Sequence, residues 1–167
     1  MTYIVKGIDP KPYRDLFGLT DEALATHGVV RMTVSEKPSF PCRVSLTDRE
    51  LGESVLLVNH TSHDVANPYR ASHAIFVTEA NEEPAEYVDE VPPVFGPRVL
   101  SLRGFDKDGM MAEAILAQPG EADAGIRKLF ANPAITTIHA HMPPAAVLRP
   151  RSKGTDHGDA CTPSQRA

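Results

Sequence analysis

The fold is decided by residues 99–141, VLSLRGFDKDGMMAEAILAQPGEADAGIRKLFANPAITTIHAH. Val99 to Phe105 and Met110 to Ala117 are apolar runs of strand length, and Asp106-Lys107-Asp108-Gly109 between them carries the turn chemistry of a hairpin. Pro119-Gly120 then opens a helix with Glu121 and Asp123 in its first turn, where the helix dipole favours acids. Ala122, Ile126, Leu129 and Phe130 recur at i, i+4, i+7, i+8 and form its buried stripe. Asn132-Pro133 stops the helix, and Ile135 to His141 reads as a further strand. Strand, helix, strand in one sheet predicts a right-handed crossover.

Upstream, Tyr3-Ile4-Val5 is a short opening strand, and Asp9-Pro10 starts a helix whose Tyr13, Leu16 and Phe17 share one face. Thr20 caps a second helix, Asp21 and Glu22 follow the cap, and Gly28 ends it. Val29–Val34, Val44–Leu46, Glu53–Asn59 and Ser72–Val77 are strand candidates. His60 to Tyr69 and the Glu- and Pro-rich stretch 79–97 read as loops. The sequence therefore predicts an α+β protein: a mixed, mainly antiparallel sheet with two N-terminal helices and one late crossover helix.

With 167 residues the chain has the length of one domain. A chain of this size buries roughly 70% of its unfolded surface without staples. We expect one domain over residues 1–141 and a disordered tail over 142–167, which holds four prolines and lacks periodicity. The formal charge of −5 divides into +2 for the tail (four basic residues, two acids) and −7 for the rest. That balance argues against nucleic acid as a partner, because phosphate neutralisation needs clustered Lys and Arg. No apolar run approaches membrane-spanning length, and MTYIVKGIDP lacks the apolar core of a secretory leader. Cys42 and Cys161 make no disulfide framework. A cytoplasmic, soluble protein is the expectation.

Three groups could carry chemistry. His139 and His141 alternate on a strand, so both imidazoles share a face and could reach one metal ion. Zinc takes such nitrogens, with His60, His63, His73 or Cys42 available as a third ligand. Two polar residues at a strand end is the plain alternative. Next, Tyr69, Arg70, Ser72 and His73 stand where a loop meets a strand. Arg offers a planar fork for an anion and His moves protons near neutral pH. The alternative pairs Arg70 with an acid and makes His73 a satisfied strand residue. Last, Cys42 beside Arg43 is either a reactive thiolate or a buried core residue. Arg103 and Asp106 are read as solvated charges. No glycine-rich phosphate loop, GxSxG, CxxC or HExxH is present.

The segments IDPKPYRDLFGLTDEAL, FPCRVSL, NPYRASHAIFV, LSLRGFDKDGMMAEAIL and IHAH, in that order, resemble the bacterial family called domain of unknown function 1203. The resemblance runs from about Ile8 to His141 and implies a small bacterial protein, with no activity or cofactor attached. The end departs from the pattern: similar members continue with His-Asn-Ala and a Gly-Cys-aromatic step before a basic last strand. Here Met142-Pro143-Pro144-Ala145-Ala146-Val147-Leu148 stands instead. One coding of that run, with a single A restored before it, reads Asn-Ala-Ala-Arg-Gly-Cys-Phe, so the tail is either the product of a frameshift or a genuine variant terminus. Resequencing of independent clones checks it.

The favoured function is a binding module that holds an anionic ligand or partner, with Tyr69, Arg70, Ser72, Cys42 and Arg43 as candidate contacts. The alternative is an enzyme built on His73, His139 and His141, with or without metal.

Overall fold

A computed structural model describes residues 2–80 and 83–142. The expectations for the tail, its origin and Cys161 lie outside the described residues.

Among the described residues eight strands and two α-helices follow in the order β1 (Ile4–Lys6), α1 (Asp21–Thr26), β2 (Val30–Thr33), β3 (Ser54–His63), β4 (Ala71–Thr78), β5 (Glu86–Val88), β6 (Leu100–Phe105), β7 (Met111–Ala117), α2 (Ala122–Phe130) and β8 (Thr137–His141). Short 3₁₀ turns occupy Lys11–Leu16 and Pro93–Phe95. The protein is α+β. Its strands form three antiparallel sheets, β1-β5, β2-β3-β4 and β7-β6-β8, and a parallel bridge joins Cys42 to Phe76. Both β7 and β8 run antiparallel to β6 and flank it, so they are parallel to each other and α2 is the crossover between them.

Two clusters of apolar side chains hold the layers. Leu24, Val29, Cys42, Val44, Leu56, Ile75 and Val77 are buried under the β2-β3-β4 sheet. Leu100, Leu102, Ile126, Leu129 and Ile135 are buried between α2 and the β7-β6-β8 sheet, joined by Tyr3, Leu46 and Phe95. The segment 42–46 threads between them, giving Cys42 and Val44 to one core and Leu46 to the other. Backbone bonds pin it: Arg43 N–H donates to Phe76 O (2.9 Å), Ile8 N–H to Arg43 O (2.9 Å) and Ala85 N–H to Val44 O (2.9 Å).

Several local expectations change. The first helix is a 3₁₀ turn: Tyr13 N–H donates to Pro10 O (2.9 Å) and Phe17 N–H to Arg14 O (3.1 Å), and Gly18 at φ 75° follows before a second turn can build. Val44–Leu46 is a tight connection, with Leu46 at φ 55°, and not a strand. β3 runs on through His60–His63, which polarity marked as a loop; pairing with β4 carries these polar residues along. β5, inside the stretch read as a loop, pairs with β1 over only three residues, too few for a periodic signal.

Glu79 ties the first half together. Its carboxylate accepts from Arg31 Nε and Nη2 (both 2.9 Å), Gly18 N–H (2.9 Å) and Ser54 Oγ (3.3 Å). The Arg31 bonds hold its pKa down at about 2. Because the folded value lies below the ordinary 4.5, the carboxylate contributes fully above about pH 4.5 and loses its contribution as pH falls towards 2. Glu79→Gln is expected to cost about 1–3 kcal/mol at pH 7, as loss of a charged hydrogen-bond partner does. Urea midpoints at pH 5 and pH 3 check this: the variant's should differ less than the wild type's.

Candidate functional site

Alternation along β8 sends His139 and His141 to one face and Ile138 and Ala140 to the other, where they pack against the α2 core. Register places Ser101 of β6 opposite His141 and Arg103 opposite His139. On β3 and β4, His60 and His73 are cross-strand partners. The two sheets meet so that these rings form a row. His73 lies 4.8 Å from His141, His141 5.9 Å from His139, and His139 5.0 Å from His63, centroid to centroid. Five of the chain's seven histidines thus belong to one array.

Each end of the row is fixed by a hydrogen bond. His63 Nε2 sits 2.9 Å from Gly109 O. A carbonyl only accepts, so that nitrogen carries the proton. At the other end Tyr13 Oη lies 2.7 Å from His60 Nδ1. Burial raises the Tyr13 pKa and lowers that of His60, so the phenol donates to a neutral imidazole. In the middle, His73 Nε2 is buried without a partner among the described residues.

A cavity of about 920 Å³ opens beside the row. His60, His73, His139, His141, Lys6, Arg43, Arg103 and Ser101 contribute polar groups to its wall, and among the described residues no Asp or Glu lines it. Among the described residues Arg103 has Ser101 Oγ (3.3 Å) as its one side-chain hydrogen-bond partner, and the Arg43 guanidinium has Met142 Sδ (3.7 Å). Neither forms an ion pair among the described residues. The carboxylate that acts on Arg43, Asp48, is held by Arg98, whose Nη1 bonds one of its oxygens at 2.8 Å. Burial lowers the Arg43 pKa, and the Arg98 charge adds to this. An arginine stays charged all the same. The wall therefore presents two guanidiniums without an ion-pair partner among the described residues, beside the imidazoles of His60, His139 and His141, whose burial favours the neutral form.

Burial, then the charge of Arg103, then His73, His139 and Arg43 push the His141 pKa down to about 4. Burial and neighbouring charge lower His139 as well. An imidazole that titrates lower in the folded than in the unfolded state costs stability in acid. The contribution is intact above about pH 6.5 and is lost as pH falls towards 4. His141→Asn is expected to flatten that fall, read as the change in urea midpoint between pH 7 and pH 5. An unchanged slope refutes the assignment.

The site residues read from sequence divide. Arg43, His73, His139 and His141 line the cavity together. Cys42 is a fully buried free thiol in the core, out of reach of solvent. Arg70 is paired with Asp64 at 2.9 Å and is exposed, and Ser72 bonds Thr61 Oγ1 (3.0 Å) on the strand face away from His73. Tyr69 packs edge-on to Phe105 at 6.2 Å. Asn67 explains that stretch: its Oδ1 accepts from Tyr69 N–H (2.9 Å) while its Nδ2 donates to Asp108 O (3.0 Å). The NPYR turn is a clasp that binds the β3-β4 connection to the β6-β7 hairpin. Arg103, read as solvated, is a wall residue, because its neighbour His139 faces the second sheet and not water. Asp106 accepts from Asp108 and Met110 N–H (both 2.9 Å) and shapes the hairpin turn. Sequence gave no means of selecting His60 and His63 until β3 extended far enough to carry them. Among the described residues, no three His, Cys, Asp or Glu side chains are grouped so as to hold a metal ion.

Fold and site together define a small α+β protein with a cation-lined, histidine-rich cavity between two antiparallel sheets. The chain belongs to the family described as "Protein of unknown function (DUF1203)", whose model matches residues 39–146, more than half of the chain. No curated protein and no solved structure matches it. No helix among the described residues is long and apolar enough to cross a membrane.

Proposed function

We propose that this is a cytoplasmic binding module for an anionic ligand, with the ligand in the cavity and its charge on Arg43 and Arg103. One observation carries the reading: in a chain of net charge −5, two arginines without acidic partners among the described residues, and Lys6, itself paired with Glu86, line a cavity to which no described residue brings a carboxylate. Arg guanidinium forks suit carboxylate or phosphate oxygens, and neutral imidazole N–H groups add donors. The cationic set is too small for a nucleic-acid surface. The domain that carries the function is residues 1–141.

A bound anion favours the imidazolium form of its neighbours, so binding takes up protons and affinity rises as pH falls from 7 to 5. Calorimetric titration with inorganic phosphate and with citrate tests this. Saturable binding that tightens at lower pH is the expected result. No heat from either anion at millimolar concentration sinks the proposal.

A second reading is favoured by the convergence of His73, His139 and His141 and by the partnerless His73 Nε2. An imidazole held beside a bound anion can act as general base or acid. In that case His73→Asn would abolish turnover of a phosphate or carboxylate ester while leaving phosphate binding in place.

A further inference from the structure

The cavity wall includes unbroken runs of residues from four strands: 3–6 of and beside β1, 73–75 of β4, 101–103 of β6 and 136–142 of and beside β8. Side chains alternate along a strand, so a hollow above one sheet face is lined by every second residue. The seven-residue run through β8 takes in both faces of that strand, so the hollow reaches round its outer side. Among the described residues β6 lies between β7 and β8, whereas the other three are outermost: β1 pairs with β5, β4 closes the β2-β3-β4 sheet and is bridged only at Phe76 by Cys42, and β8 closes the β7-β6-β8 sheet. An outer strand leaves a row of backbone N–H and C=O groups free to accept another strand.

The chemistry on the two sides of β8 differs. One side carries Ser101, Arg103, His139 and His141, and the other carries Ile138 and Ala140 over the α2 core. A strand laid along this edge would place alternate side chains against cations and against apolar surface.

We propose that the slot along β8 receives an extended acidic peptide, added as a strand, with carboxylates at alternate positions meeting Arg43 and Arg103 and apolar side chains between them. This rests on the anion-binding reading and adds that the charge arrives on a peptide backbone. Charge complementarity selects the occupant. The chain's own residues 142–167 carry +2 and do not match the wall, whereas a Glu- or Asp-bearing strand does.

The test is fluorescence polarisation with the full chain and labelled short peptides alternating Glu with Val or Lys with Val. Two further Glu–Val peptides carry N-methyl groups on one backbone edge or the other. Saturable binding of the Glu–Val peptide is expected, with the Lys–Val peptide at least about tenfold weaker. Methylation of one edge should weaken binding about tenfold or more and methylation of the other should be tolerated, since only one edge pairs with β8. Arg103→Met should weaken the Glu–Val peptide by a similar factor. If citrate binds but the Glu–Val peptide does not, or if both methylated peptides bind unchanged, strand addition is refuted and the anion reading survives. If neither citrate nor peptide binds, both fall. Slow hydrogen exchange at the β8 amides not bonded to β6, in the full chain without peptide, would mean that the chain fills its own slot and would also overturn the proposal.

Discussion

Arg43→Met is expected to raise the melting temperature of the ligand-free protein by a few degrees while weakening phosphate or citrate at least about tenfold. The two effects share one cause. The Arg43 guanidinium is withdrawn from water, it makes no ion pair among the described residues, and Asp48 is already held by Arg98. An uncompensated charge of this kind costs folding free energy, and an apolar side chain of similar length relieves that cost. The backbone bonds of Arg43 to Phe76 and Ile8 do not involve the side chain, so the variant keeps the local fold. A gain of about 1 kcal/mol shifts the melting temperature by roughly 2–4 °C in a domain of this size. A charged hydrogen bond to an anion is worth about 1.5–3 kcal/mol, or roughly ten- to a hundredfold in affinity. Scanning calorimetry and titration on one preparation check both. Lower stability with unchanged anion affinity would make Arg43 a structural residue.

Gly7→Ala should be among the most damaging single-methyl additions in the chain. A Cβ at Gly7 would stand 2.0 Å from Val44 O, 2.9 Å from Val44 C and 3.2 Å from Arg43 O. These are backbone atoms, so no change of rotamer relieves the clash. Shifting either segment strains three bonds at once: Gly7 N–H to Ala85 O, Ile8 N–H to Arg43 O and Ala85 N–H to Val44 O. We expect a loss of roughly 3–5 kcal/mol, at the upper end for a point substitution, and about ten degrees of melting temperature. Because the displaced segment carries Arg43, anion affinity should fall even at temperatures where the variant is folded. Gly52→Ala is the control: its φ of 84° is unfavourable for alanine but, beyond its own chain neighbours, no atom of the described residues lies within 4 Å of the new Cβ, so it should cost only about 1–2 kcal/mol. Equal losses at both positions would show that close approach is not what Gly7 provides.

Local pattern went furthest where one element carries its own signal. The hairpin after Phe105, the α2 stripe of Ala122, Ile126 and Leu129, and the shared face of His139 and His141 all follow from spacing along the chain. The pattern failed where pairing partners decide conformation. β5 exists because β1 lies beside it, and β3 reaches His63 because β4 pairs with it. The spacing of Tyr13, Leu16 and Phe17 fits the 3₁₀ turn at Lys11–Leu16 as well as a short α-helix, so periodicity could not separate the two.

The site divides along the same line. Sequence alone determined the α+β class, the family likeness and the alternation that aligns His139 with His141. It could not rank Arg43, Arg70 and Arg103, because whether an arginine is free depends on which carboxylates come near it. Tertiary structure decided that: Asp64 takes Arg70, Arg98 takes Asp48, and Arg43 and Arg103 are left facing one cavity. It also turned the NPYR stretch from a presumed binding loop into the clasp that brings the two sheets together, and so sets His73 against His141. Charge pairing and sheet-to-sheet contact act through space, between residues far apart in the chain, and spacing within any one segment carries no record of them.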